Sequence, residues 1–508
     1  MDSQYETKKN DPNAIMPYGE SSGDEHVGEV RGMGGDIFKE PEAEHEGHAK
    51  FHRLGWKRLT VVLIVEAIAL GSLSLPGAFA TLGMVPGVIL SVAMGLICIY
   101  TAHVIGQTKL KHPEIAHYAD VGRVMFGRWG YEIISFMFVL QLIFIVGSHV
   151  LTGTIMWGTI TENGNGTCSL VFGVVSAIIL FLLAIPPSFA EVAILGYIDF
   201  VSICAAILIT MIATGIRSSN QDGGLAAVPW SCWPKENLSL AEGFIAVSNI
   251  VFAYSFAMCQ FSFMDEMHTP SDYKKSIVAL GLIEIVIYTV TGGIVYAFVG
   301  PEVKSPALLS AGHTLAKVAF GIALPVIFIS GSINTVVVSR YLIERIWPND
   351  VIRYVNTPKG WMVWLSFDAG ITIIAWVIAE AIPFFSDLLA ICSALFISGF
   401  SFYFPALMYF KITRNDAKSV SKKYFLDALN ILCFIIGMII LGVGTYAAIQ
   451  DIVSLARFSI CSLRINANSL IRWTVTSVVR FRSLTAVLLW LNPARSTPTI
   501  RFLDVLHN

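Results

Sequence analysis

Charge is scarce in this chain. Asp, Glu, Lys and Arg make up only 14% of its 508 residues, where soluble domains carry roughly 25%. The deficit runs through the whole central part, so a string of soluble domains is excluded. A net charge of −2 excludes the basic footprint of a nucleic-acid binder. Neither Cys-x-x-Cys nor His-Glu-x-x-His occurs, so no metal site is expected. The clustered polar side chains of an integral-membrane enzyme are missing as well. Most of the eight cysteines lie in apolar stretches, where Cys behaves as a small hydrophobe. Cys168 and Cys232 are the exceptions, each in a polar loop.

What is present is apolar surface. Hydrophobic residues are 55% of the chain and mean hydropathy is +0.67. A bilayer is crossed by about 20 apolar residues in a helix. Eleven such windows are expected: 57–80, 84–106, 131–158, 170–188, 192–216, 243–265, 277–299, 314–340, 361–381, 384–410 and 425–449. The expected fold class is therefore an all-α polytopic membrane protein. Residues 1–50 hold twelve Asp/Glu and five Lys/Arg and little that could form a core. They read as a disordered acidic arm, without a cleavable signal.

Basic residues gather in cytoplasmic loops. With the N-terminus inside, nineteen Lys/Arg flank the inner ends of the spans and four lie outside, at Arg217, Lys235, Lys304 and Lys317. That asymmetry predicts a cytoplasmic N-terminus. The sequons at Asn165 and Asn237 then fall in outside loops, as glycosylation would require. Cys168 and Cys232 occupy the same two loops, where an oxidising exterior favours a Cys168–Cys232 disulfide; two free thiols are the alternative. Residues 451–508 fit the scheme poorly. They carry seven Arg and neither Lys nor Glu, and they read as an atypical tail, either luminal or non-native.

The first window contains the most informative stretch. Glu66 precedes Gly71, Ser72, Leu73, Ser74, Leu75, Pro76 and Gly77. A helix interrupted at that depth strands amides and carbonyls where no water reaches them. Such a break is tolerated where it lines a cavity and binds something, which points to a transport site.

The run Gly71–Pro76 resembles the first-helix signature of the amino acid/auxin permease family. Tyr118-Ala119-Asp120-Val121-Gly122 followed by Phe126-Gly127, and Phe252-Ala253-Tyr254 followed by Met264-Asp265-Glu266-Met267-His268-Thr269-Pro270, resemble further family segments in the same order. The resemblance covers about residues 50–450 and is strongest to fungal permeases of neutral and aromatic amino acids. It implies a LeuT-type fold: two inverted repeats of five spans, an eleventh span added, and discontinuous first and sixth helices around the substrate. The sixth window departs from the pattern, because residues 250–264 contain no glycine.

On this reading the substrate's carboxylate meets the backbone at Gly71, Ser72, Leu73 and Ser74. Its ammonium and side chain meet Phe252, Ala253, Tyr254 and Ser255, with Phe136 in an aromatic wall. Charges inside a membrane are costly and functional. Glu66 is the expected proton acceptor and Asp199 an inner-gate carboxylate; Glu284 and Asp368 are further intramembrane carboxylates that read equally as pairing with polar neighbours in the bundle. His149 reads as a neutral, hydrogen-bonded ring. Sodium is the rival ion, with Ser332, Asn334 and Thr335 on the eighth span as ligands.

The expected function is proton-coupled symport of neutral amino acids into the cell, without a cofactor, from the plasma membrane. The alternatives are a vacuolar exporter, a sodium-coupled carrier and a non-transporting nutrient sensor. A ubiquitin-ligase adaptor is a further expected partner, acting on Lys8, Lys9 and Lys39.

Overall fold

The computed structural model describes residues 55–454, except 69, 163–167, 187–188, 266, 349, 351, 353–354, 356 and 417–419. The acidic arm with Lys8, Lys9 and Lys39, the sequon at Asn165, the side chain of Glu66 and the tail beyond residue 454 lie outside the described residues.

The first apolar window is two helices, α1 (Trp56–Ala67) and α2 (Gly71–Leu82). The interruption falls just before Gly71. Pro76 sits inside α2 and does not mark the break. Gly83 ends α2 with a φ of +83°, a conformation that costs glycine nothing. A Cβ there would lie 2.5 Å from the Trp233 carbonyl carbon, so the turn also needs a hydrogen at that position. α3 (Met84–Lys111) follows at once. Its first amides lack partners within the helix. Two are met by a distant loop: Met84 donates to the Ser231 carbonyl and Val85 to that of Cys232, each at 3.0 Å.

α4 (Tyr118–Ile160) begins well ahead of the apolar window expected at 131–158. Gly127, at φ +70°, kinks it between an entry limb and the long apolar limb. The entry limb is capped by Asp120, whose carboxylate accepts the amides of His117 (2.8 Å) and Ala116 (3.2 Å). α5 (Ser169–Ala184) and α6 (Phe189–Ser219) come next. α7 (Leu240–Ala253) starts at a Ser239 cap that accepts the Glu242 amide at 3.1 Å. Lys235 donates to the Glu242 carboxylate (2.7 Å) and holds that carboxyl below its ordinary range.

α7 stops at Ala253. A turn at Tyr254 and a 3₁₀ segment over Ser255–Cys259 lead into α8 (Gln260–Asp265). The two arms of this pair are bent by 42°. The chain continues with α9 (Tyr273–Val299), α10 (His313–Ile322), α11 (Leu324–Ile346), α12 (Pro358–Ala381), α13 (Phe385–Thr413) and α14 (Val420–Ser454).

Among the described residues, eight helices are long and apolar enough to cross a membrane, or nine if the bent pair counts as one span. The interrupted α1–α2 stretch and the short α5 fall below that length. The outward faces carry apolar side chains, including Phe136 at 65% exposure and Val201 at 66%. A lipid surround is the environment in which such a surface is stable. The chain is a multi-pass membrane protein. Inside it, α2 packs on α7, α9 lies against α2 and α3, and α4 lies against α11 and α12.

Candidate functional site: the cavity between two broken helices

The interruptions of α1–α2 and α7–α8 meet. At Gly71, the first residue of α2, a Cβ would stand 2.7 Å from the Ala253 Cα, at the last residue of α7. Only a glycine lets the two backbones approach so closely.

Beside this contact is a small cavity of about 50 Å³. A water needs about 10–15 Å³ by this measure, so the space holds a few waters and is too small for an amino acid. It is lined at the first interruption by Ala67, Leu70 and Gly71, and at the second by Phe252, Ser255, Phe256, Met258 and Cys259. α4 adds Ile145 and His149, and α11 adds Ser330 and Asn334. No Asp, Glu, Lys or Arg lines it.

Its polar groups are mostly oriented by a second bond. His149 is buried, and its Nδ1 lies 2.7 Å from the Ile327 carbonyl. A carbonyl only accepts, so Nδ1 carries the proton, and Nε2 of the neutral ring is an acceptor. Asn334 donates from Nδ2 to the Ser330 carbonyl at 2.9 Å, and Ser330 donates from its hydroxyl to Asp199 at 2.9 Å. Asp199 is fully buried. It is thus one hydroxyl removed from the cavity.

Of the residues expected at the substrate, Gly71, Phe252 and Ser255 line the cavity. Ser74 donates its hydroxyl to the Gly71 carbonyl at 2.8 Å and, like buried Ser72, does not line it. Leu73 is corrected: its amide is spent on the Leu70 carbonyl at 3.1 Å and its side chain is in the core. Ala253 contributes the close backbone contact. Tyr254 is also corrected. Its phenol donates to the Ser91 carbonyl on α3 at 2.9 Å and its ring packs edge-on against Tyr288, so it braces the break from behind. Phe136 is corrected too: its side chain, 65% exposed on the outer face of α4, does not line the cavity.

Among the expected sodium ligands, only Asn334 reaches the cavity. Ser332 and Thr335 donate to carbonyls of their own helix, Ile329 at 2.8 Å and Gly331 at 3.2 Å. Asp368 accepts from Ser339 at 2.5 Å. The expected disulfide is absent: Cys168 and Cys232 are both exposed free thiols. Each belongs to its own element, Cys168 capping α5 and the Cys232 carbonyl tied to the start of α3. Asn237 is exposed, as a glycosylation acceptor must be.

Two features carried no sequence signal. Tyr288 on α9 places its hydroxyl 2.9 Å from the Ala67 carbonyl and 3.1 Å from that of Ala253, the terminal residues of α1 and α7. One phenol therefore bridges both breaks. The second is a latch at the Lys109 end of the bundle. Buried Lys109 donates to Asp265, to the Pro113 carbonyl at 3.0 Å and to that of Ile115 at 2.5 Å. Gln260 donates to the Ala102 carbonyl at 2.7 Å, and His117 meets Ser262 at 3.1 Å. α8 is thereby tied to α3 and to the connection before α4.

A family model described as transmembrane amino acid transporter protein matches residues 52–450. The "N amino acid transport system protein" of Neurospora crassa is 93% identical over 453 residues, which cover 89% of this chain and 96% of that protein. "Amino acid permease 2" of Arabidopsis thaliana is 22% identical over 76% of this chain and 86% of its own length. A solved structure of Mhp1, a nucleobase-cation-symport-1 family transporter with bromovinylhydantoin bound, aligns with 81% of this chain and 93% of its own at 15% identity and a TM-score of 0.49.

Proposed function

This chain belongs to the transmembrane amino acid transporter family, and from that membership we propose that it imports neutral amino acids, aliphatic and aromatic, by proton symport and alternating access. It is a transporter and not an enzyme. The observation that carries the substrate reading is the cavity wall: two interrupted helices, Ser, Asn and His, and no ionised side chain. A zwitterion with a neutral side chain suits such a wall, whereas a charged side chain would be buried there without a counter-ion.

The start of α2 carries partial positive charge and suits the substrate carboxylate at the Gly71 amide. The backbone around Ser255 and the Nε2 acceptor of His149 suit the ammonium. Phe252, Phe256 and Ile145 suit an apolar side chain. We place the protein in the plasma membrane with a cytoplasmic N-terminus, on the strength of the basic-residue asymmetry. An arrangement of eleven spans in two inverted five-span repeats accords with the interruptions in α1–α2 and α7–α8.

For coupling we retain Asp199, joined to the cavity through Ser330, and Glu66 on α1. Sodium, held by Asn334 with Ser332 and Thr335, is the competing ion. The test is uptake of labelled phenylalanine and leucine by the full chain in yeast lacking its own permeases. Uptake should rise as external pH falls, ignore sodium, and be competed by neutral but not by charged amino acids. Asp199→Asn and Glu66→Gln should flatten that pH response. Sodium-dependent, pH-independent uptake would overturn the coupling, and equal competition by lysine and glutamate would overturn the substrate class.

A further inference from the structure

Glu284 on α9 is fully buried, and neither of its carboxylate oxygens has a hydrogen-bond partner among the described residues. Tyr288 lies four residues on, the spacing that sets two side chains side by side on one helix. The bridge from Tyr288 to Ala67 and Ala253 is therefore one helical turn from an unpartnered carboxyl.

We propose that Glu284 is a proton-carrying group of transport, and that its protonation state sets whether Tyr288 holds the two broken helices together. The proposal rests on the proton-coupled reading above and adds a residue and a mechanism to it.

An ionised carboxylate with no partner in a buried site carries an effective penalty of several kcal/mol. In the arrangement seen here Glu284 is therefore the neutral acid. The titratable groups within its electrostatic reach are Cys98 on α3, Tyr254 at the break and Tyr288 on its own helix, and Cys433 on α14 faces Cys98. No cation or second carboxylate faces it among these. Of the other helices packed on α9, α6 carries Asp199, which is bonded to Ser330, and α1 carries Glu66, whose side chain lies outside the described residues.

A phenol has one proton to donate. While Glu284 is neutral, that proton serves the carbonyls at the ends of α1 and α7. When water reaches Glu284 on the side of low proton concentration, the carboxyl O–H bond breaks and water takes the proton. The resulting carboxylate is a stronger acceptor than either carbonyl, because charge-assisted hydrogen bonds are about twice as strong as neutral ones. It draws the Tyr288 hydroxyl toward itself and frees both carbonyls. Re-protonation from the other side restores the bridge.

The experiment uses the full chain in proteoliposomes with labelled phenylalanine. Glu284→Gln imitates the neutral acid. It should lose accumulation driven by a pH gradient and show a flat pH profile. Glu284→Asp should keep the pH response with a displaced midpoint. One component of the infrared carbonyl stretch of protonated carboxylic acids, present in the wild type, should be lost in Glu284→Gln. If Glu284→Gln accumulates substrate against the gradient as the wild type does, the role of Glu284 is overturned and proton coupling stands. A wild type that ignores the pH gradient overturns both. Should Glu284→Gln fail to fold, a Glu284→Asp profile superimposable on the wild type overturns the proposal.

Discussion

Gly71 carries a large part of the site with no side chain at all. It opens α2, lines the cavity and lets the Ala253 backbone approach to where a Cβ would sit 2.7 Å away. Gly71→Val should therefore force α2 and α7 apart. Over-packing of this kind costs about 1–3 kcal/mol, and the melting temperature in detergent should fall accordingly. Uptake should fall by at least about tenfold, the equivalent of 1.4 kcal/mol in the barrier. A Gly71→Val protein that reaches the membrane and transports at the wild-type rate would show that the close approach is not needed. The cavity positions of Gly71, Ser255 and Asn334 were legible because each interrupts an apolar run, and that of Phe252 through the family segment Phe252-Ala253-Tyr254. Phe136 and Tyr254 were not. In a helix that is apolar all round, the lipid face and the core face read alike, so the pattern locates the helix but not its rotation. Tyr288 was hidden for the same reason.

At the scale of elements, the break in α1–α2 was legible and its position was shifted by a few residues. Gly71, Pro76 and Gly77 suggested an interruption among themselves, but Pro76 is accommodated within α2 and the chain unwinds ahead of Gly71. The break after α7 had no glycine to announce it, only a cluster of Tyr254, Ser255 and Gln260 in an apolar run. The half-helix α8 is short, so its position depends on side-chain ties, chiefly Lys109 to Asp265. Removing the carboxylate leaves a buried ammonium with carbonyl acceptors alone. Asp265 is 37% exposed at its side chain, so solvent screening reduces the loss below that of a fully buried pair. Asp265→Asn should loosen α8 without unfolding the bundle. Cys259, at the cavity between the break and α8, reports on this. In a Cys168→Ser, Cys232→Ser background, maleimide applied from the Lys109 end should label Cys259 several-fold faster in Asp265→Asn than in its parent. Equal rates would mean that the latch does not restrain α8.

At the scale of the whole molecule, the sequence gives two independent statements about sidedness: the clustering of Lys and Arg at alternate ends of the spans, and the pair of polar loops holding Cys168 and Cys232. The structure alters the second. The thiols are exposed and free, so they mark that face of the protein instead of stapling it. Compartment chemistry could not decide between bridge and free thiols, because a disulfide also requires Cα atoms within about 7 Å and converging Cβ vectors, which loop sequences do not specify. This yields a test of the topology as a whole. Intact cells expressing the full chain, treated with a membrane-impermeant maleimide and no reductant, should label at both Cys168 and Cys232. Single Cys168→Ser and Cys232→Ser variants should each lose one label and keep the other. Lys109 and Asp265, at the other end of the bundle, place a cysteine introduced at exposed Lys422 on the protected side, reactive only after the cells are permeabilised. Labelling that requires reductant would restore the disulfide. Labelling of Cys168 and Cys232 only after permeabilisation would invert the topology, and with it the direction of transport proposed here.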